Sequence, residues 1–237
     1  MKLKNLLNGF KEHKLLFLYL GINFSVAYIL FFSGYEIAGA INGSLAQKMD
    51  LIFALVFGYF INREKISKTQ ILFSFFLFFG LAIAITQGSF DIIEFNLGVI
   101  MLLITVALWM LAHAITKPYL DQNKITPYQL IFMRNGVTGS ILLTSVLIFR
   151  EFNVFALLID PVNLFNFLLM GIGYGIDLCC FYISLSYINI TKVSVIMAPS
   201  LLITLFCAMI FLSEIFTIFH LIGSIIVLIS IIIIIKE

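Results

Sequence analysis

The sequence predicts an all-α protein, a polytopic transmembrane helix bundle of about eight spans. Of its 237 residues, 62% are hydrophobic and only 11% are charged, whereas a globular domain carries about 25% charged residues. The mean hydropathy is +1.14, and long apolar runs recur from one end of the chain to the other. This composition excludes an ordinary soluble domain and places the chain in a lipid bilayer.

Each predicted span is an apolar run close to the length that a bilayer core requires, which is about 20 residues. Polar residues are concentrated in the short connections, so no segment is long enough to form a soluble domain. The eight runs are 15–35, 40–62, 70–88, 97–116, 127–149, 162–186, 190–212 and 216–235.

The distribution of Lys and Arg predicts the orientation of these spans. If the N-terminus is cytoplasmic, 11 of the 14 basic residues fall in cytoplasmic segments, and only Arg150 falls on the opposite side. Cytoplasmic loops of membrane proteins carry such an excess of positive charge. We therefore expect a multi-pass protein of the plasma (inner) membrane with both termini in the cytoplasm.

An internal repeat is visible when the chain is compared with itself at an offset of 150 residues. This offset pairs Glu64 with Glu214 and superposes the first three spans on the last three. The sequence thus predicts a five-span unit whose first copy, residues 1–88, lacks its opening two spans, followed by a complete copy at 89–237. Tandem copies with an odd number of spans insert in opposite orientations, which gives an inverted repeat.

Four ionisable side chains lie inside predicted spans: Lys48, Asp50, Arg134 and Asp177. A charge at the bilayer centre costs about 2.5–3.5 kcal/mol on insertion scales, so these groups must face protein or water. They are either structural ion pairs or the lining of a hydrated cavity that binds a zwitterionic or charged solute. Lys48 with Asp177 is the favoured pair, because the repeat places their spans across a pseudo-twofold axis. On one continuous helix, Lys48 and Asp50 would point about 200° apart.

Three neutral side chains complete the predicted solute path, and a proline is a candidate gate. Gln47, Asn135 and Tyr174 are hydrogen-bonding neighbours of the charged residues in sequence. Pro199 removes one helix hydrogen bond inside the span 190–212 and should kink it. Such a kink suits a gating helix, and it is equally compatible with a proline that is merely tolerated.

Motifs of enzymes and of cofactor sites are not visible in the sequence. It contains no Gly-rich phosphate loop, no H-E-x-x-H and no C-x-x-C pair, so we expect neither an enzyme nor a bound metal or cofactor. The formal net charge of +2 gives no reason to expect a nucleic-acid partner. The expected partners are the lipid bilayer, a small-molecule solute and, if two spans are truly missing, a second copy in a homodimer.

The second half of the chain carries a series of short motifs. One span has a Gly entry, an Ala-Leu-Trp centre and a Thr-Lys exit, the next has Arg followed by Gly, and the last two have Pro, Glu and Gly. These residues are Gly98, Ala107-Leu108-Trp109, Thr116-Lys117, Arg134, Gly136, Gly139, Pro199, Glu214 and Gly223. Together they resemble the EamA-type drug/metabolite transporter superfamily. In the first half, Gln47-Lys48 and Arg63-Glu64-Lys65 are similar to a variant of that family's pattern.

This resemblance covers nearly the whole chain and implies a carrier of small metabolites, commonly amino acids or their derivatives. The family usually has ten spans, two more than are predicted here. We expect alternating access around a mid-membrane site, as in other inverted-repeat carriers. The alternative is a non-transporting membrane protein, either a truncated remnant or an assembly scaffold held by structural ion pairs. A channel is a weaker third possibility, because no ring-forming polar repeat is visible.

Overall fold

The computed structural model describes residues 12–89, 96–149, 153–197 and 199–236. Arg150 and both chain ends lie outside these ranges, in which the structure is helical and contains no β-strand. The predicted all-α class is therefore confirmed. The helices of the described ranges are α1 (Lys14–Gln47), α2 (Asp50–Asn62), α3 (Lys68–Ile85), α4 (Leu97–Asp121), α5 (Pro127–Phe149), α6 (Asn153–Ala156), α7 (Pro161–Leu185), α8 (Ile190–Ile196), α9 (Ser200–Phe211) and α10 (Ile218–Lys236).

Among the described residues, five helices are long and apolar enough to cross a membrane: α1, α3, α4, α5 and α7. Three shorter apolar helices, α2, α9 and most of α10, add to them. Each of the eight predicted runs falls largely on helix. The chain is therefore a polytopic helical membrane protein, in which two of the predicted spans are divided.

The predicted span 40–62 is divided at Lys48 and Met49. It follows Gly39, whose backbone (φ 79°, ψ 170°) kinks α1 in a region that favours glycine. At Lys48 and Met49 the backbone N–H groups donate over 3.0 and 3.1 Å to the carbonyls three residues earlier, which is the 3₁₀ pattern. The helix that resumes as α2 has Met49 as its N-cap.

The predicted span 190–212 is divided at the equivalent position of the sequence repeat. Helix α8 ends at Ile196, and α9 begins at Ser200 with Pro199 as its N-cap. Proline has no N–H and clashes with the preceding turn, so it is a physical cause of this interruption. The 150-residue offset superposes Met49 on Pro199, so the N-caps of α2 and α9 are equivalent positions.

Other local features recur at the same offset. Two residues that follow equivalent helices adopt left-handed φ angles of 57° and 55°. The next helix in each case begins with a reciprocal pair of hydrogen bonds between its N-cap and the residue three positions later, as in a capping box. The equivalent pairs are Arg63 and Ser213, Ser67 and Thr217, and Gln70 and His220.

The chain forms two compact units. Unit 1 comprises Met1–Ser25 and Pro118–Tyr187, and unit 2 comprises Val26–Lys117 and Ile188–Glu237. These units follow spatial contacts, whereas the predicted boundary between residues 88 and 89 follows the sequence repeat. The division into two repeat copies therefore stays a prediction.

Close helix packing in each unit depends on glycine. In unit 1, a Cβ on Gly21 of α1 would overlap the side chain of Val137 on α5. In unit 2, α3 and α10 meet backbone to backbone, because a Cβ on Gly80 would lie only 2.9 Å from the carbonyl oxygen of Gly223. Without a hydrophobic driving force between helices in lipid, such small residues allow the close contacts that hold spans together.

Candidate functional site

Lys48 lies at the division between α1 and α2, within unit 2. Its side chain is only 6% exposed. The Nζ atom donates to Ser200 Oγ over 3.0 Å and to the carbonyl oxygen of Met197 over 3.2 Å. Both acceptors belong to the division between α8 and α9. The structure therefore brings two interrupted helices together around one ammonium group.

The interruption itself supplies the acceptors for this ammonium. Because α8 ends at Ile196, the last carbonyls of the helix have no intrahelical partners, and Met197 is one residue beyond that end. Ser200 Oγ also donates to Met197 O over 2.6 Å, which orients the two oxygens side by side. A lysine ammonium has three donors, and the contacts with Met197 and Ser200 use two of them.

Gln47 and Asp50 flank the same division. Gln47 is the last residue of α1 and Asp50 is the first residue of α2, and both are half-buried. The Asp50 carboxylate lies within electrostatic range of the Lys48 ammonium. The expected separation of about 200° assumed one continuous helix with regular side-chain spacing. Since the helix is interrupted between Lys48 and Asp50, that spacing does not apply.

Arg134 is the centre of a second polar cluster, in unit 1. It lies on α5 and is 1% exposed. Its guanidinium donates to Tyr182 Oη over 3.1 Å, to Asn135 Oδ1 over 3.1 Å, and to the hydroxyl of Tyr174. The ring of Phe24 lies 3.9 Å from the guanidinium carbon, a cation–π contact. The structure thus joins three predicted residues, Arg134, Asn135 and Tyr174.

Sequence reasoning missed the other two members of this cluster, Phe24 and Tyr182. Both left signals in the sequence. Tyr182 follows Tyr174 by eight residues, which places the two side chains near one face of a helix, about two turns apart. The 150-residue offset superposes Phe24 on Tyr174. Tyr174 is 38% exposed, so one hydrogen-bond partner of the buried guanidinium is itself only partly buried.

Asp177 and Pro199 are the remaining predicted site residues. Asp177 lies on α7, three residues after Tyr174, and it is exposed on unit 1. Its pairing with Lys48 would join the two units, and it stays a prediction. Pro199 is exposed and lies between α8 and α9, one residue before the serine that contacts Lys48. Its part in gating also stays a prediction.

A polar hollow of about 300 Å³ lies at the other end of α2, in unit 2. It is formed by the connection between α2 and α3, the start of α8 and the end of α10. At 1.5 Å per residue, it is about 20 Å along the helix from Lys48. Its polar lining residues are Glu64, Lys65, Ser67, Gln70, Asn189, Thr191 and Lys192.

Apolar spans, two interrupted helices and a buried charge at their meeting point are features of a membrane transporter. The chain matches the EamA-like transporter family over residues 2–86 and 96–236. It belongs to that family, which confirms the resemblance seen in the sequence. It is also similar to the uncharacterized transporter YyaM of Bacillus subtilis (strain 168), at 32% identity over 65 residues, or 27% of this chain. The matched part covers 21% of that relative's length.

Proposed function

We propose that this chain is a carrier that moves a small polar metabolite, such as an amino acid or an amino-acid derivative, across the plasma membrane by alternating access. The single observation that carries this proposal is the buried ammonium of Lys48 at the meeting point of two helix interruptions. The proposal is of transport and not of catalysis.

The surroundings of Lys48 favour a binding role over a purely structural one. Its observed acceptors are a neutral hydroxyl and a neutral carbonyl, whereas a carboxylate acceptor would add the attraction between opposite charges to the hydrogen bond. A solute carboxylate could therefore replace Ser200 and Met197 around the ammonium. Asp50, which is within electrostatic range of Lys48, offers the opposite charge for a solute amino group.

Repetition of local structure supports the inverted repeat that alternating access uses. The helix divisions at Met49 and Pro199 are 150 residues apart, as are the other equivalent pairs at the helix ends. The family match also falls in two segments, 2–86 and 96–236, on either side of the proposed boundary between copies. Inverted repeats exchange conformations between their two halves, which exposes a fixed site to each side in turn.

Arg134 and its neighbours supply a second contact for the solute in this proposal. Arg134, Asn135 and Tyr174 present donors that suit carboxylate or carbonyl oxygens, and exposed Asp177 lies on the same helix as Tyr174. The excess of Lys and Arg in alternate connections supports cytoplasmic termini. A homodimer is part of the proposal only if two spans are absent from the functional protein.

Solute counterflow in proteoliposomes tests the proposed function. The purified protein would be screened with the 20 common amino acids as radiolabelled probes, and we expect exchange of at least one of them. Lys48→Met and Asp177→Asn should reduce that exchange, whereas Lys124→Met, at an exposed position in a connection, should not. Unchanged flux in both site variants at normal expression would remove Lys48 and Asp177 from the solute path.

One observation favours the alternative, a non-transporting scaffold. Arg134 makes hydrogen bonds and a ring contact with protein groups at 1% exposure, as a purely structural cation would. If no amino acid exchanges although the protein is folded and monodisperse, the scaffold becomes the better account of these buried charges.

A further inference from the structure

Glu214 holds the start of the helical segment that leads to Lys48. Its Oε1 accepts from the backbone N–H of Ala40 over 2.6 Å, and its Oε2 accepts from that of Ile41 over 2.8 Å. These amides begin the segment after the Gly39 kink, where N–H groups have no intrahelical acceptors. A carboxylate is also the favoured charge at a helix N-terminus. A Cβ on Gly39 would lie 3.2 Å from Glu214 Oε1, so glycine permits this close approach.

Glu64 occupies the equivalent position in the other interrupted span and contacts the start of α8. Thr191 Oγ1 donates to Glu64 Oε2 over 3.3 Å. The 150-residue offset superposes Glu64 on Glu214 and Thr191 on Ile41. A Cβ on Gly58 would lie 2.7 Å from Glu64 Oε2. Glycine at that position therefore allows the carboxylate to fold back along α2 toward α8.

The two contacts are reciprocal. Glu214 follows α9 and binds the segment that precedes α2, whereas Glu64 follows α2 and binds the segment that precedes α9. Each carboxylate thus binds the start of a helical segment, and the end of that same segment contributes to the Lys48 contact. Release of Glu214 would let the segment after Gly39 rotate, and this would move Lys48 relative to Ser200.

The surroundings of Glu214 and of Glu64 differ within unit 2. At the Glu214 end, polar side chains pack together: His220 Nε2 lies 3.2 Å from Asn42 Oδ1 and 2.9 Å from Gln87 Nε2. At the Glu64 end, the hollow of about 300 Å³ is present. The Glu214 end is therefore packed with polar side chains, whereas a hollow lies beside Glu64, whose carboxylate still contacts Thr191.

We propose that Glu64 and Glu214 are the paired latches of the two gates. Each holds its end of the two interrupted spans closed while its carboxylate binds the facing segment, and the two latches release in alternation. They are positioning residues, because they act through the helix segments and touch no solute. This inference rests on the proposed carrier function, but it makes a structural claim that can be measured without any solute.

Cysteine labelling in lipid nanodiscs tests the latches, since both faces of the membrane are accessible there. The parent for these measurements carries Cys179→Ser, Cys180→Ser and Cys207→Ser, which removes the native thiols. Ile41→Cys reports on the Glu214 end and Ile190→Cys on the Glu64 end. The isoleucine side chains at these positions are 2% and 0% exposed. A membrane-impermeant maleimide is the probe, and its rate of reaction is the measurement.

Loss of either latch should open its own end and not the other. Glu214→Gln weakens charge-assisted hydrogen bonds, so labelling at Ile41→Cys should accelerate about tenfold, while labelling at Ile190→Cys stays the same or slows. Glu64→Gln should have the reverse pattern. Glu214→Asp keeps the carboxylate and should return the rate toward that of the parent. Glu36→Gln, at an exposed position of α1, should change neither rate.

Two results would overturn the proposal. Faster labelling at both reporters in each Gln variant would mean that the carboxylates only hold the unit together. Unchanged labelling at both reporters would mean that neither carboxylate controls access. A failure to find any exchanged amino acid would count against the carrier function alone, since the labelling pattern requires no solute.

Discussion

Replacement of Lys48 by methionine separates a binding role from a structural role of the buried ammonium. The methionine side chain has a similar length and no charge, so the packing at the two helix divisions is preserved. The variant loses the hydrogen bonds from Nζ to Ser200 and Met197. Ser200 Oγ keeps its own bond of 2.6 Å to Met197 O, so the carbonyl retains a donor.

The structure predicts a small change in stability. Replacing a buried ionic group by an apolar residue of similar volume is often neutral, because the desolvation penalty of the charge offsets its interactions. Lys48 is 6% exposed, and its two acceptors keep a hydrogen bond to each other. The free energy of unfolding of the Lys48→Met protein should therefore stay within about 2 kcal/mol of the parent.

The predicted loss of solute binding is much larger. Truncating one partner of a buried, hydrogen-bonded charge pair costs about 2–5 kcal/mol. This corresponds to at least about 30-fold weaker binding of a carboxylate solute. Counterflow of whichever amino acid exchanges with the parent should fall accordingly at solute concentrations below saturation.

Both quantities can be measured on one preparation. Trp109 is the single tryptophan, and its ring lies 5.2 Å from that of Phe31 in unit 2, so its fluorescence reports on unfolding of the unit that contains Lys48. Counterflow in proteoliposomes gives the flux. A variant that loses stability by several kcal/mol but keeps its flux would refute the reasoning, because Lys48 would then be a structural cation.

Two more substitutions test the packing and the second polar cluster. Gly223→Ala places a Cβ against Gly80 O and should lower stability by about 1–3 kcal/mol through overpacking, which a lower melting temperature would show. Gly173→Ala is the control, because a Cβ there meets nothing within 4 Å, and its melting temperature should equal that of the parent. Arg134→Met removes the charged donor to buried Tyr182 and should lower the free energy of unfolding by about 2–4 kcal/mol. Arg134→Lys should not restore this stability, because an ammonium cannot reproduce the planar fork of guanidinium donors. Equal melting temperatures for the two glycine variants, or full rescue by lysine, would contradict these expectations.

The fold class was predictable because it depends on composition and on the length of apolar runs. A helix that satisfies its own backbone hydrogen bonds is the simplest way to cross a bilayer, so each long apolar run predicted a helix without knowledge of its neighbours. The same reasoning placed Arg134, Asn135 and Tyr174 among the site candidates, and the structure joins them through hydrogen bonds. The family resemblance depended on short motifs and was confirmed.

The divisions within the spans could be predicted only in part. Pro199 carries a local signal, because proline cannot donate the helix hydrogen bond. Lys48 and Met49 carry none, since both residues are compatible with a regular helix. That interruption is accompanied by contacts from Lys48 to a segment about 150 residues away in the chain. A local reading of the span 40–62 therefore gave one continuous helix.

The sequence by itself determined that this protein is a multi-span helical membrane protein with ionised side chains in its spans, because hydropathy and charge are properties of each segment alone. Only the tertiary structure decided what those side chains touch. It showed that Lys48 is held by the opposite interrupted helix and that Glu214 caps the segment after Gly39. Partners so distant in the chain are brought together by packing, and no local pattern specifies which of them meet.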